Sequence, residues 1–294
     1  MRSHVVYAPE LRNRYVGEIP SIRKLRQWVS LYSALEQVSW LTVPHALNAT
    51  DLLSIHSSEY IAEACDGRTG YTKELAIWAL WSCATHLKAA EVALDERAIV
   101  CAPVSGFHHA GFDFGGSYCI FNGLMHTLYT LNKRIDRKAL ILDCDAHYGN
   151  GTDHIIEKAP KFWDFVDHVT DGDEHNLRVD FFDKLRDFTD RIRAGRYGIV
   201  LYQAGADAWI SDPYQAGYLT KPQLMKRDRE VFDACVASET PCVWNFAGGY
   251  AGSVTAGLHA ETEHQATCAV VNQIFKEYVD GKHSGETGGA ATQS

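Results

Sequence analysis

Short runs rich in apolar and β-branched residues recur along the chain at 4–8, 98–104, 139–145, 162–169, 197–205 and 242–247. Runs of that length, bounded by turn-forming residues, read as buried strands. Between them, residues 21–39, 72–95, 121–132, 220–238 and 253–279 carry apolar side chains at three- and four-residue spacing, which predicts amphipathic helices, with Ser21 and Thr220 placed to cap two of them. Strands alternating with helices imply an α/β fold, a parallel sheet whose crossover helices cover both faces. No repeat or heptad run interrupts the pattern, so residues 1–280 read as one domain, and the small, polar, Gly-rich residues 281–294 read as a flexible tail.

A chain of 294 residues is long enough to bury a deep core and a dry active site. Its 46% apolar and 22% charged content is that of an ordinary globular protein. A net charge of -9 disfavours nucleic acid and anionic membranes as partners, because phosphate contacts need clustered Lys and Arg; it would attract a cationic substrate. The eight cysteines are scattered with no CxxC pair, and several sit inside apolar runs, which predicts buried, reduced thiols in a cytoplasmic protein. No apolar stretch is long enough and free enough of charge to be a signal peptide or membrane span, since the most apolar helix carries His86, Lys88 and Glu91.

In open parallel sheets ligands bind beyond the carboxyl ends of the strands, so polar residues just after an apolar run carry the candidate chemistry. After the run at 139–145, Asp143, Asp145 and His147 are spaced by two residues and project to one side if extended. Asp207 follows the run at 197–205. Either segment alone is equally consistent with aspartates capping helices or loop amides; together, two acids and an imidazole favour a catalytic divalent-metal cup with open positions. The Gly-bounded loop after the run at 98–104 carries the adjacent imidazoles His108 and His109, a candidate proton-transfer pair. After the run at 242–247, Gly248 and Gly249 precede Tyr250, whose hydroxyl could polarise a carbonyl.

In order, Ser-Gly-Phe-His-His-Ala, Ser-Tyr-Cys-Ile-Phe-Asn, Asp-Cys-Asp-Ala-His-Tyr-Gly-Asn-Gly-Thr, Gln-Ala-Gly-Ala-Asp-Ala with Asp212-Pro213, and Gly-Gly-Tyr resemble the histone deacetylase superfamily. The opening third agrees through Asp51, His56 and Tyr60. The resemblance implies the arginase/deacetylase fold, a three-layer α/β/α domain with a mostly parallel eight-stranded sheet. It implies a deacylase that hydrolyses the amide of an acetyl-lysine-like side chain or a small acylated amine such as an acetylpolyamine. One zinc ion, or ferrous iron, would be held by Asp145, His147 and Asp207. His108 would pair with Asp143, His109 with Asn150 as general base and then acid, and Tyr250 would polarise the scissile carbonyl. Asn150 is a neutral partner, so His109 should titrate lower than an Asp-paired imidazole. A structural potassium or sodium ion would be bound around Asp143, Asp145, His147, Asp167 and His168. Phe107, Tyr118, Tyr214, Gly248 and Gly249 would line the substrate tunnel.

The chain departs from the family pattern at Ser117, where Gly is usual, and at 171–178, which lacks the Phe-Pro-Gly loop that supplies one tunnel wall. Tyr214 stands where polyamine-specific members carry a glutamate. An arginase-type two-manganese centre would want carboxylates at Gly149 and Trp209, so a single metal is expected. A non-catalytic metal-containing binding protein would have little need for the full set of ligands, histidines and Tyr250.

Overall fold

The computed structural model describes residues 1, 3–13, 39–171, 177–250 and 275. The helices expected at 21–39 and 253–279 and the tail at 281–294 lie outside the described residues, apart from Ser39 and Phe275. The strands are β1 (Ser3–Tyr7), β2 (Ser39–Thr42), β3 (Ile99–Cys101), β4 (Lys138–Asp143), β5 (Val166–Val169), β6 (Tyr197–Gln203) and β7 (Cys242–Asn245). They form one sheet in the order β2-β1-β3-β7-β6-β4-β5, and every pairing is parallel.

Every run read as a strand overlaps one, and β2 adds a strand at the edge that the sequence pattern does not mark. Seven strands, not eight, stand among the described residues. Among the described residues between β5 and β6, 177–196 form turns and a helix and add no strand beside β5. The central strands β4 and β6 are apolar almost throughout because the sheet is covered on both faces; every residue of β6 is buried.

The helices are α1 (Pro9–Asn13), α2 (Ser58–Cys65), α3 (Lys73–Glu96), α4 (Gly123–Leu131), α5 (Asn150–Lys158), α6 (Phe181–Arg193) and α7 (Lys221–Ser238). The Thr72 side chain caps α3 by accepting from the Leu75 amide, and Arg97, left-handed at φ 48°, ends it. α3 packs against β1, β3 and β7, while α6 and α7 pack on each other. Thr220 and Gln223 close a capping box at the start of α7, with Pro222 in its first turn. No helix among the described residues is long and apolar enough to cross a membrane. The cysteines among the described residues are unpaired and, Cys65 apart, buried.

Because the strands are parallel, their carboxyl ends open on one edge of the sheet. β3, β7, β6, β4 and β5 are successive neighbours, so the loops carrying His108, Tyr250, Asp207, Asp143 to His147, and Thr170 emerge side by side.

Candidate active site

The Asp143–His147 turn leaves β4 and meets the turn that leaves β6. His147 Nδ1 lies 3.1 Å from Asp145 Oδ1 and 3.0 Å from Asp207 Oδ2, and one ligand atom of each residue lies within 4.8 Å of the others. Asp145 and Asp207 are fully enclosed, whereas His147 is partly exposed. Two buried carboxylates facing each other repel unless a cation or proton lies between them. Burial and the neighbouring Asp145 push Asp207 up to about 7, whereas His108 and His147 overcome the effect of burial and hold Asp145 well below the usual carboxylate range. The carboxylates hold His147 up at about 10.

Backbone amides orient these acids from behind. The Gly248 amide donates to Asp145 Oδ2 at 2.6 Å, and the Ala146 amide to Asp207 Oδ1 at 3.2 Å. A Cβ on Gly248 would stand 2.1 Å from Asp207 Oδ2 and 2.6 Å from Asp145 Oδ2, so the carboxylates occupy the space a side chain there would need. The donors are two hard oxygens and one imidazole nitrogen, converging beside a bare backbone, and this set fits one zinc or ferrous ion with coordination positions to spare.

The two histidines of the β3 loop lie with ring centroids 4.1 Å apart, tilted at 48°, yet their environments separate them. His108 Nδ1 donates to Asp143 Oδ2 at 2.7 Å. Burial alone would lower His108, but Asp143, Asp145 and Asp207 hold it up at about 9. His109 Nδ1 donates to Asn150 Oδ1 at 2.7 Å. Burial and the adjacent His108 charge lower His109 to about 4, and the neutral Asn150 offsets only part of this. One dyad therefore holds a positive charge and the other a free ring nitrogen.

A cavity of about 350 Å³ opens above them, lined by His109, Ser117, Tyr118, His147, Tyr214 and Tyr250. The Tyr250 amide donates to Asp212 Oδ2 at 2.8 Å, which fixes the tyrosine over the cup. Burial and the carboxylates of Asp145 and Asp207 raise the Tyr250 phenol far above its ordinary value, so it remains a donor. The Tyr118 and Tyr214 hydroxyls meet at 3.1 Å, and the Tyr214 and Tyr250 rings lie 4.4 Å apart.

Some expected site residues lie elsewhere. Phe107 is turned into the core against His86 at 5.3 Å, away from the cavity, and Gly248 backs the carboxylates instead of walling the tunnel. Gly249, with φ 126°, is not among the residues lining the cavity. Asp167 takes Lys138 Nζ at 2.6 Å and the Tyr197 hydroxyl at 2.9 Å, on the face of β5 opposite to that of its neighbour His168. His168 does reach the site: its Nδ1 donates to Asp153 Oδ1 at 2.7 Å, and its Nε2 lies 4.0 Å from Asp143 Oδ2. Of the residues expected around the monovalent cation, His168 thus turns its side chain towards Asp143 and Asp167 turns its side chain away. Of the residues at 171–178 where the aromatic loop is missing, 172–176 lie outside the described residues.

His56, matched in the opening third without an assigned role, donates from Nδ1 to the Gly111 carbonyl at 2.7 Å and accepts at Nε2 from the Asn122 amide at 3.0 Å. Asn122, the last residue of the Ser-Tyr-Cys-Ile-Phe-Asn motif, donates from its side chain to Ala110 O and Thr152 Oγ1 and so ties the histidine loop to α5.

A parallel sheet with a two-carboxylate, one-imidazole cup beneath a tyrosine-lined cavity defines a candidate metal-assisted hydrolase. The sequence model of the histone deacetylase domain matches residues 20–176, just over half of the chain, and the protein belongs to that family of deacetylase-type amide hydrolases. It is 27% identical over 241 residues to the acetylpolyamine amidohydrolase of Mycoplana ramosa, covering 69% of each chain. It is 25% identical over 283 residues to an uncharacterised protein of Picosynechococcus sp., covering 85% of this chain and 93% of that one. Histone deacetylase 2 of Arabidopsis thaliana is 28% identical over 167 residues, 49% of this chain and 42% of the relative.

Proposed function

We propose that the protein is a zinc-dependent deacylase that hydrolyses an acyl amide carried on a slender amine. The observation that carries this reading is the convergence of Asp145, His147 and Asp207 at the floor of a cavity that His109 and Tyr250 also line. Those three residues would hold the metal, which in its bound form acts as a Lewis acid and makes water more acidic near neutral pH.

The side chains divide the remaining work. His109, neutral across the physiological range and oriented by Asn150, has Nε2 free to take a proton from water and later to return it to the leaving amine. His108, kept protonated by Asp143, contributes positive charge behind the reacting carbon and stays out of the proton relay. Tyr250, fixed by Asp212, donates its hydroxyl proton in a hydrogen bond to the carbonyl oxygen as charge develops there. The walls formed by Tyr118 and Tyr214 suit an unbranched alkyl stem, which they would desolvate.

A second reading within the same chemistry is a small acylated amine in preference to a lysine on a folded protein surface. The similarity to an acetylpolyamine amidohydrolase and the net charge of -9 support it; Tyr214, which stands where polyamine-specific members carry a glutamate, counts against a polyamine.

The deciding experiment compares hydrolysis of an acetyl-lysine peptide and of N-acetylated diamines by metal-free, zinc-loaded and Tyr250→Phe protein. Zinc-dependent turnover, reduced about 10²–10³-fold in kcat in Tyr250→Phe with unchanged zinc content, is expected. Equal turnover by Tyr250→Phe would refute the assigned role, and no turnover of either substrate by zinc-loaded protein would refute the deacylase reading.

A further inference from the structure

α7 presents Leu224, Val231, Ala234 and Cys235 to the core, and the same stripe carries two charged residues, Arg227 and Asp228, both fully buried. A buried ion pair is costly to desolvate, and its hydrogen bonds show what it holds. Arg227 Nε donates to Asp228 Oδ1 at 2.8 Å, and the Tyr202 hydroxyl of β6 donates to the same oxygen. The other arm of the fork points to the site. Arg227 Nη1 donates to the Cys144 carbonyl at 3.2 Å and to the Gly205 carbonyl at 2.7 Å.

Those two carbonyls have particular neighbours. The Cys144 carbonyl belongs to the peptide that enters Asp145, and the Gly205 carbonyl to the peptide that enters Ala206, immediately before Asp207. One guanidinium nitrogen therefore bridges the two turns that supply the opposed carboxylates of the cup. Without a donor between them the two carbonyl dipoles would repel; on the other side the turns are tied by the Cys144 amide to the Gln203 carbonyl, the Ala146 amide to Asp207 Oδ1, and Gly248, whose amide donates to Asp145 and whose carbonyl accepts from the Ala206 amide.

We infer that Arg227 is a positioning residue of the metal centre: through the Cys144 and Gly205 carbonyls it sets the distance between Asp145 and Asp207, with Asp228 and Tyr202 holding it in place. This rests on the reading of Asp145, His147 and Asp207 as metal ligands. Lysine cannot replace the fork, because a single ammonium has no planar arrangement that serves Asp228 on one side and both carbonyls on the other.

The test separates positioning from mere stapling of α7. Arg227→Met/Asp228→Asn removes both charges together, so no unpaired ion is left in the core, and Arg227→Lys keeps the charge and loses the fork. For each, the melting temperature of the metal-free protein, the zinc affinity by competition with a chromophoric chelator, and kcat and KM are measured. The expected result is zinc affinity weakened about 10–100-fold, as for other residues that orient metal ligands, with kcat lowered, KM little changed and the metal-free melting temperature of at least one variant near wild type. Either variant folding with wild-type zinc affinity would overturn the inference. So would a loss of affinity only in proportion to a loss of metal-free stability in both variants, since that is the mark of a staple. Wild-type protein that takes up zinc yet hydrolyses no acyl amide would overturn the deacylase reading while the affinity comparison still decides the role of Arg227.

Discussion

Adding one methyl group at Gly248 should abolish the metal centre without unfolding the protein. A Cβ there stands 2.1 Å from Asp207 Oδ2, 2.4 Å from Asp207 Cγ and 2.6 Å from Asp145 Oδ2. Ordinary contact begins near 3.4 Å, so relief of the worst clash alone moves the Asp207 oxygen by about 1.3 Å, the difference between 3.4 and 2.1. Functional metal sites hold their ligand distances to within about 0.2 Å. A displacement several times that tolerance removes at least one carboxylate, and zinc affinity in Gly248→Ala should fall by at least about 100-fold. Gly106→Ala serves as the control, since its Cβ would approach no closer than 3.3 Å to Ala247 Cα and 3.4 Å to Gln203 Oε1. Chelator competition with zinc, together with circular dichroism of the metal-free proteins, reads both quantities. Gly248→Ala with native-like circular dichroism and the affinity of Gly106→Ala would refute the assignment of Asp145 and Asp207 as joint ligands.

Replacing Asn150 by Asp places a carboxylate 2.7 Å from His109 Nδ1, and the acid limb of the kcat/KM profile, expected near 4 in the wild type, should move up by 1–3 pH units; an unmoved limb would remove His109 from the role of base. His56, His86 and His126 are buried and neutral, lowered from 6.5 to about 4, 3 and 4 chiefly by burial. The unfolded chain binds more protons than the fold between those values and 6.5, so this contribution is complete above 6.5 and is lost as pH falls. Each histidine should cost about 1.4 kcal/mol per pH unit in that window, and urea denaturation at pH 7 and pH 5 with no difference would contradict it. Thr220→Ala should destabilise by about 1 kcal/mol through loss of the α7 capping box, a shift of roughly 2–4 °C in melting temperature with kcat/KM unchanged.

What the sequence makes legible follows from how local each feature is. β4 and β6 are visible as continuous apolar runs because both of their faces are covered. β2 is hard to see because only Trp40 and Leu41 are apolar in a partly exposed edge strand. α6 is masked by its charges, although Phe181, Leu185, Thr189 and Ile192 form its buried stripe. At the site, Asp143, Asp145, His147 and Asp207 are recognisable because a strand end fixes where neighbouring side chains point. Asp153 with His168, Asp212 with Tyr250, and Arg227 with Cys144 and Gly205 are not, since each pair meets only through tertiary packing. Arg227 nevertheless left a trace, a charged residue three positions from Leu224 and four from Val231 on an apolar stripe. Phe107 misled for the opposite reason: next to the His108–His109 pair, it serves the core.

The order of the strands has a consequence for when the proposed metal site can form. β4, β6 and β7 are neighbours in space, yet Asp145 from the first turn needs the Gly248 amide from the last, more than a hundred positions further along the chain. During synthesis the Asp-Ala-His segment is made early, with its second carboxylate and its orienting amide still missing, so a nascent chain offers a passing ion only a weak, partial grip. An ion held by Asp145, His147 and Asp207 would thereby be taken up only once the middle of the sheet has closed, and would mark chains that have completed that step.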